Sequence, residues 1–221
     1  MDIIEAYKNI SIAAVSDAMD RLGMAGACMG ISPLQFGCEM VGRAFTVKYL
    51  PARSHEKASV GDFIDDVKSG SVVVLDNAGR TDCTVWGDIL TAAAHQKGLA
   101  GTVIDGVCRD VSDSLKLNYP IFSKGHYMRT GKDRVDAVDY NVPVQIGGVQ
   151  VRAGDIIYGS DDGVIVIPQE FEQDILETAE MIEQKENDIR KDVSLGTTLK
   201  QARQTYGYHA LQAKAQKQEQ K

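Results

Sequence analysis

The chain has 221 residues, 43% of them hydrophobic and 25% charged, an ordinary globular composition that excludes disorder as the main state and suffices for one sizeable core. No apolar run approaches the roughly 18 residues of a membrane helix, and Met1-Asp2-Ile3-Ile4-Glu5 lacks a basic signal-type start, so a cytoplasmic chain with no membrane partner is expected. The net charge of −7 argues against nucleic-acid binding, and most of it is local, because residues 170–192 hold nine acids against three bases.

Ser11 can cap a helix running to Leu22, with Gly23 as its stop. Residues 24–40, rich in glycine and small side chains, read as a loop, and Val41 to Tyr49 as a strand. Residues 59–68 look helical. Val72-Val73-Val74-Leu75 is a short apolar run of buried-strand type, and Asp76 to Asp82 reads as a polar loop. A helix is expected from Trp86 to Lys97, stopped by Gly98, then a second buried strand at Thr102 to Asp105. A short helix follows Arg109-Asp110, and a strand lies near Pro120-Ile121-Phe122. This alternation is the signature of an α/β layer. Gly147-Gly148 between Val144-Gln145-Ile146 and Val149-Gln150-Val151 signals a tight hairpin, and Asp162-Gly163 a second, longer one. Pro168 opens a long acidic helix to Asp192. No internal repeat or linker is evident, so residues 1–211 read as a single domain and 212–221 as a frayed polar tail.

Familiar site patterns are missing. There is no phosphate-binding glycine loop, no nucleophile elbow and no paired-histidine zinc helix. Cys28, Cys38, Cys83 and Cys108 form no C-x-x-C pair and read as reduced, mostly buried thiols. His55, His95, His126 and His209 are dispersed, with none at ligand spacing.

The informative residues sit where the two buried strands end, the edge at which open α/β layers gather ligands. The first strand leads to Trp86-Gly87-Asp88, and the second to Gly106-Val107-Cys108-Arg109-Asp110. Asp88, Arg109 and Asp110 can therefore meet. Two carboxylates and a guanidinium can hold a hard divalent cation beside an oxyanion. The free amides of Asp88, Ile89 and Leu90 could take a substrate carboxylate at the positive helix end. A plainer account stays open: Asp88 answers the helix dipole, Asp110 caps a helix, and Arg109 pairs with it at the surface. By chance, an Asp followed after twenty residues by Arg-Asp turns up in about one chain in forty of this length, at roughly 5% usage per residue type.

Trp86-Gly87-Asp88-Ile89-Leu90 together with Gly101 to Asp110 closely resembles the 4-hydroxy-4-methyl-2-oxoglutarate / 4-carboxy-4-hydroxy-2-oxoadipate aldolases. That group shares its fold with the regulator of ribonuclease activity A. The resemblance runs from Ser11 to Ala202 and includes Val41-Gly42-Arg43-Ala44-Phe45-Thr46-Val47 and Asp162-Gly163-Val164. The aldolase branch carries D-x20-R-D, which Asp88 and Arg109-Asp110 match, whereas the ribonuclease regulators tend to carry Gly in place of Asp88.

The resemblance implies an RraA-like swivelling β/β/α sandwich with a long C-terminal helix, assembled as a homotrimer or homohexamer. It implies a metal-dependent lyase that cleaves a 4-hydroxy-2-oxo acid to pyruvate and also decarboxylates oxaloacetate. In that scheme Asp110 is the direct ligand of Mg²⁺ or Mn²⁺. Arg109 contacts the keto oxygen of the 2-oxo acid, and Asp88 hydrogen-bonds a water on the metal. A glutamate from a neighbouring subunit joins them. Glu186 is the candidate, falling in the gap of a stripe formed by Ile175, Ala179, Ile182, Ile189 and Val193; a buried carboxylate there needs a partner. The alternative is a helix that turns Glu186 to water, with Glu183 next in line. Arg80 reads as a clamp for a distal carboxylate or as a solvated loop residue, and Lys132, Asp133 and Arg134 are equally open. Asp161-Asp162 reads as ordinary hairpin chemistry. The rival reading of the whole chain is a non-catalytic regulator of ribonuclease activity that binds a protein partner.

Overall fold

The computed structural model describes residues 2–53 and 60–211. His55 and the 212–221 tail lie outside the described residues. In chain order the elements are α1 (Ile3–Tyr7), α2 (Ile12–Leu22), β1 (Ser32–Pro33), β2 (Met40–Pro51), β3 (Val72–Thr84), α3 (Asp88–Gln96), β4 (Gly101–Val107), α4 (Val111–Leu115), β5 (Ile121–Ser123), β6 (Val135–Tyr140), β7 (Val144–Ile146), β8 (Val149–Val151), β9 (Ile156–Ser160), β10 (Gly163–Ile167), α5 (Glu172–Ser194) and α6 (Leu199–Thr205). Short 3-10 turns lie at Asp62–Asp66, Gln169–Phe171 and Tyr208–Ala210. The chain divides into two compact units, Met1–Gly26 with Glu170–Lys221, and Ala27–Gln169.

The second unit is built on an eight-stranded sheet in the order β1-β5-β4-β3-β2-β9-β10, with β6 also on β2. β2, β3, β4 and β5 run parallel, with Asp76 beside Asp105 across β3 and β4. The long β2 serves three partners in turn: Met40–Arg43 pair with β9, Ala44–Lys48 with β3, and Val47–Pro51 with β6. Both faces of the sheet are covered, which is why Val72 to Leu75 of β3 and Val103-Ile104 of β4 are apolar without alternation. Side chains still alternate between faces. Val73, Leu75 and Ile104 enter one core with Phe63, Trp86 and Tyr119, while Val72, Val74 and Val103 enter the other with Cys28, Val144 and Ile157.

The first unit packs α2 and α5. Ser11 caps α2 as expected, its hydroxyl accepting from the Ala14 amide at 3.3 Å, and Gly23 ends the helix at φ 75°. Ile175, Leu176, Ala179, Ile182 and Ile189 are the buried side of α5, and Val193, the last member of the expected stripe, is exposed. Among the described residues no helix is long and apolar enough to cross a membrane.

Several local expectations are corrected. Residues 76–82 are not a loop: β3 runs on through them to Thr84, with register shifts after Asp76 and Arg80 and positive φ at Ala78 and Gly79. The helix expected at 59–68 is a single 3-10 turn, Asp62–Asp66, and residue 59 lies outside the described residues. β6, α1 and α6 went unanticipated; β6 is defined by pairing with the distant β2.

Candidate active site

β3 and β4 lie side by side, so the segments that leave them emerge together. Val85-Trp86-Gly87 carries the chain from β3 into α3, and Cys108-Arg109-Asp110 carries it from β4 into α4. A backbone bond from the Arg109 amide to the Trp86 carbonyl, 3.0 Å, joins the two segments. Cys108 is tied on its other side to the segment after β5, where the Tyr127 amide donates to its carbonyl at 2.8 Å.

The structure brings Asp88, Arg109 and Asp110 together. Arg109 Nε lies 3.2 Å from Asp110 Oδ2, and the Asp88 amide reaches the same oxygen at a long 3.5 Å. Asp110 adopts φ 53°, ψ 40°, a left-handed conformation that Asp tolerates better than most residues. This turns its carboxylate back toward α3 instead of capping α4, where it makes no side-chain cap bond. Gly87 leaves the space: a Cβ there would sit 2.7 Å from Asp110 Oδ2 and 3.3 Å from Arg109 Cγ and Nε. Its φ of −152° is ordinary extended backbone, so close approach alone calls for glycine.

Asp88 opens α3, and its Oδ1 accepts from the Ile89 amide at 2.8 Å. The Ile89 amide, expected to be free for substrate, is therefore engaged by its neighbour. The Ile89 side chain is exposed, and Leu90 is half-buried beside Gly61. A cleft of about 490 Å³ opens here, lined by Trp86, Asp88, Leu90 and Arg109, with Asp62 and Lys132 also on its wall. Lys132 was an open candidate from sequence, and it reaches this wall because Gly131 ahead of it is packed against β3, with the Thr84 amide donating to the Arg129 carbonyl at 2.9 Å. Beyond Arg109 lies a smaller hollow of about 270 Å³ lined by Asp110, His126 and Tyr127. No spacing in the sequence linked His126 to Asp110; the parallel bridge between Cys108 and His126 does. Cys108, next to Arg109, is fully buried, and burial raises its thiol pKa, with the Asp110 charge adding a smaller push. It stays a neutral thiol.

Arg80 is not in this group. Its guanidinium forms a two-pronged pair with Asp82, at 2.9 and 2.8 Å. In the first unit, Glu186 Oε2 accepts from Arg190 at 2.8 Å, one turn along α5, with its side chain 22% exposed. Glu183 Oε1 accepts from the Ser11 amide at 2.8 Å and so helps hold the start of α2.

A hard divalent cation fits the donor chemistry at Asp110. Oδ2 faces Arg109 and the Asp88 amide, while Oδ1 takes no hydrogen bond from the described residues and is the oxygen open to a cation. Mg²⁺ and Mn²⁺ are hard cations, and Mg²⁺ commonly keeps most of its waters while taking one or two carboxylates.

Residues 12–166 match the model of the RraA-like family, described as Aldolase/RraA, and the chain belongs to that family. Among its relatives, protein DlpA of Legionella pneumophila is 39% identical over 209 residues, 94% of this chain and 34% of that protein. The chain thus spans about a third of that relative's length. A Halalkalibacterium halodurans protein named "Putative 4-hydroxy-4-methyl-2-oxoglutarate aldolase" is 36% identical over 181 residues, 81% of this chain and 82% of that one. Two solved structures share the fold. An uncharacterized protein from Pseudomonas syringae pv. tomato aligns with a TM-score of 0.85 at 40% identity, over 91% of this chain and 96% of that one. Streptomyces coelicolor RraAS2, described as an unusual member of the RNase ES inhibitor RraA family, aligns with a TM-score of 0.79 at 28% identity, over 86% and 96%.

Proposed function

We propose that this chain is a divalent-metal-dependent lyase that splits a 4-hydroxy-2-oxo acid by retro-aldol cleavage to pyruvate and a second carbonyl compound, and that it also decarboxylates oxaloacetate. The observation that carries the reading is the meeting of Asp88, Arg109 and Asp110 around the Gly87 cradle. The similarity to a relative carrying the aldolase name supports it.

Both reactions leave a pyruvate enolate, so the chemical problem is negative charge on a keto oxygen. Arg109 lies between the cleft and the smaller hollow, where its guanidinium can meet that oxygen and strengthen its hold as charge develops. Asp110 would hold Mg²⁺ or Mn²⁺, which when bound supplies Lewis-acid polarisation of the 2-oxo acid. Asp88 has one oxygen engaged by the Ile89 amide; the other is left to take the C4-hydroxyl proton through water. The Leu90 amide and the positive end of α3 favour the substrate carboxylate. Lys132, on the cleft wall, suits a second carboxylate on the far half of the substrate. Glu186, from a neighbouring copy in a trimer or hexamer, is the further proton-handling group in this scheme, for which it would exchange Arg190 for the site. No lysine Schiff base is required.

The test is a coupled pyruvate assay over a panel of 4-hydroxy-2-oxo acids and oxaloacetate, with and without chelator. The expected result is metal-stimulated pyruvate release that Arg109→Ala lowers by about two to three orders of magnitude, the range for losing one oxyanion donor. Parental turnover in Arg109→Ala, or chelator-insensitive release, overturns the assignment. Similarity to RraAS2 favours a second reading, a protein-binding regulator using the acidic α5 surface. Capture of a basic partner that depends on α5, with no lyase activity, would favour it.

A further inference from the structure

Behind the cleft wall, buried hydroxyl groups join the two loops. Trp86 Nε1 donates to Thr91 Oγ1 at 2.9 Å, Thr91 Oγ1 donates to the Gly87 carbonyl at 2.8 Å, and Ser114 Oγ lies 3.1 Å from Thr91 Oγ1. All three side chains are at most 2% exposed. Valence orders the protons. An indole N–H only donates and a carbonyl only accepts. Thr91 therefore gives its one proton to Gly87, and Ser114 donates to its remaining lone pair, which leaves the threonine hydroxyl fully used.

The Gly87 carbonyl is thus held twice, by Thr91 Oγ1 and by the Thr91 amide at 3.0 Å. A trans peptide points its N–H opposite to its C=O, so holding that carbonyl aims the Asp88 amide at Asp110 Oδ2. Ser114 belongs to α4, and its amide returns to the Asp110 carbonyl at 3.0 Å. The Thr91–Ser114 bond therefore braces the first turn of α3 against the residue that carries the proposed metal ligand.

We propose that Thr91, locked by Trp86 and Ser114, is a positioning residue that holds the Gly87–Asp88 peptide and the Asp110 carboxylate in register for the bound 2-oxo acid and cation. The proposal rests on the lyase reading above. Thr91→Val keeps the shape and removes the hydroxyl, and Thr91→Ser keeps the hydroxyl. The probes are Mn²⁺ and oxalate, a planar dianion resembling the pyruvate enolate, titrated by calorimetry and followed by pyruvate release. Thr91→Val is expected to weaken binding and lower kcat, each by about ten- to a hundredfold, with KM little changed, while Thr91→Ser stays within about threefold of the parent. The emission of Trp86, the single tryptophan of the chain, should shift in the valine variant and not in the serine one.

Parental binding and turnover in Thr91→Val overturns the proposal, as does a serine variant as impaired as the valine one. If Thr91→Val fails to fold, Ser114→Ala replaces it: weakened Mn²⁺ and oxalate binding supports the brace, and parental binding overturns it. A parent that binds both probes yet releases no pyruvate refutes the lyase reading alone, and the titrations still decide the positioning role. A parent that binds neither refutes both.

Discussion

Asp110 shows how a single residue can serve chemistry against its own backbone preference. Its left-handed conformation would cost an ordinary L-residue about 1–2 kcal/mol, and Asp and Asn are the side chains that bear it most easily. This separates charge from conformation experimentally. Asp110→Asn keeps the backbone and removes the charge, so pyruvate release should fall at least as far as in Arg109→Ala while the urea midpoint holds. Asp110→Ala should lose the same activity and also about 1 kcal/mol of stability relative to Asn, seen in the same urea titration. Equal stability of the two variants would show that the left-handed turn is not strained. The three residues were legible because Asp88 and Arg109-Asp110 open the helices that follow two apolar runs and because their D-x20-R-D spacing resembles that of the aldolases; position alone left a helix cap and a surface ion pair open. The engagement of the Ile89 amide by Asp88 was not, since it depends on a rotamer. Nor was the commitment of Arg80 to Asp82, which follows from β3 continuing through that stretch.

At the scale of elements, the site is the place where two strand-to-helix connections touch, and Gly87 is their point of contact. A methyl group there would meet Asp110 Oδ2 at 2.7 Å. That atom ends a half-buried side chain that can swing aside, and the glycine has no special φ. Gly87→Ala should therefore fold with a thermal midpoint close to the parent. Because misplacing a reacting group by about 1 Å can cost about a hundredfold in rate, pyruvate release should fall by that order. A variant with full activity would show that Asp110 works from a position clear of α3. The strand α3 follows was legible in its first half, Val72 to Leu75, where an unbroken apolar run marks a strand covered on both faces. The second half was not. Asp76 to Asp82 is polar and crosses two register shifts, and it is a strand because β4 lies beside it.

Over the whole molecule, burial sets a stability limit at high pH. Cys28 is pushed up to about 12 by desolvation, with Asp105 adding to it. Burial likewise raises Cys108, Tyr49 and Tyr119. In the unfolded chain these groups lose their protons at ordinary values, while in the native state they keep them. A group whose native pKa is raised contributes its full stability below the unfolded pKa and loses it as pH rises toward the native one. Stability should therefore hold to about pH 9 and then fall by up to about 1.4 kcal/mol per pH unit for each such group. Urea midpoints at pH 8, 9, 10 and 11 check this, and Cys28→Ala should make the decline shallower. A flat profile to pH 11 would mean that these groups ionise in the native state at the same pH as in the unfolded chain.

Sequence by itself determined the α/β character, the two central strands, the capped α2, the two hairpins, the long acidic α5 and the Asp-Arg-Asp set. Each of these is written in a local signal: apolar runs, a Ser and a Gly at the ends of a helix, Gly-Gly and Asp-Gly turns, and residues placed where strands stop. Tertiary structure alone decided that β6 pairs with β2, that His126 and Lys132 reach the walls around Arg109, and that Thr91, Trp86 and Ser114 share their protons behind Gly87. The reason is physical. Local signals set which way a side chain faces along its own element, whereas the partner it meets depends on which distant surfaces are buried together.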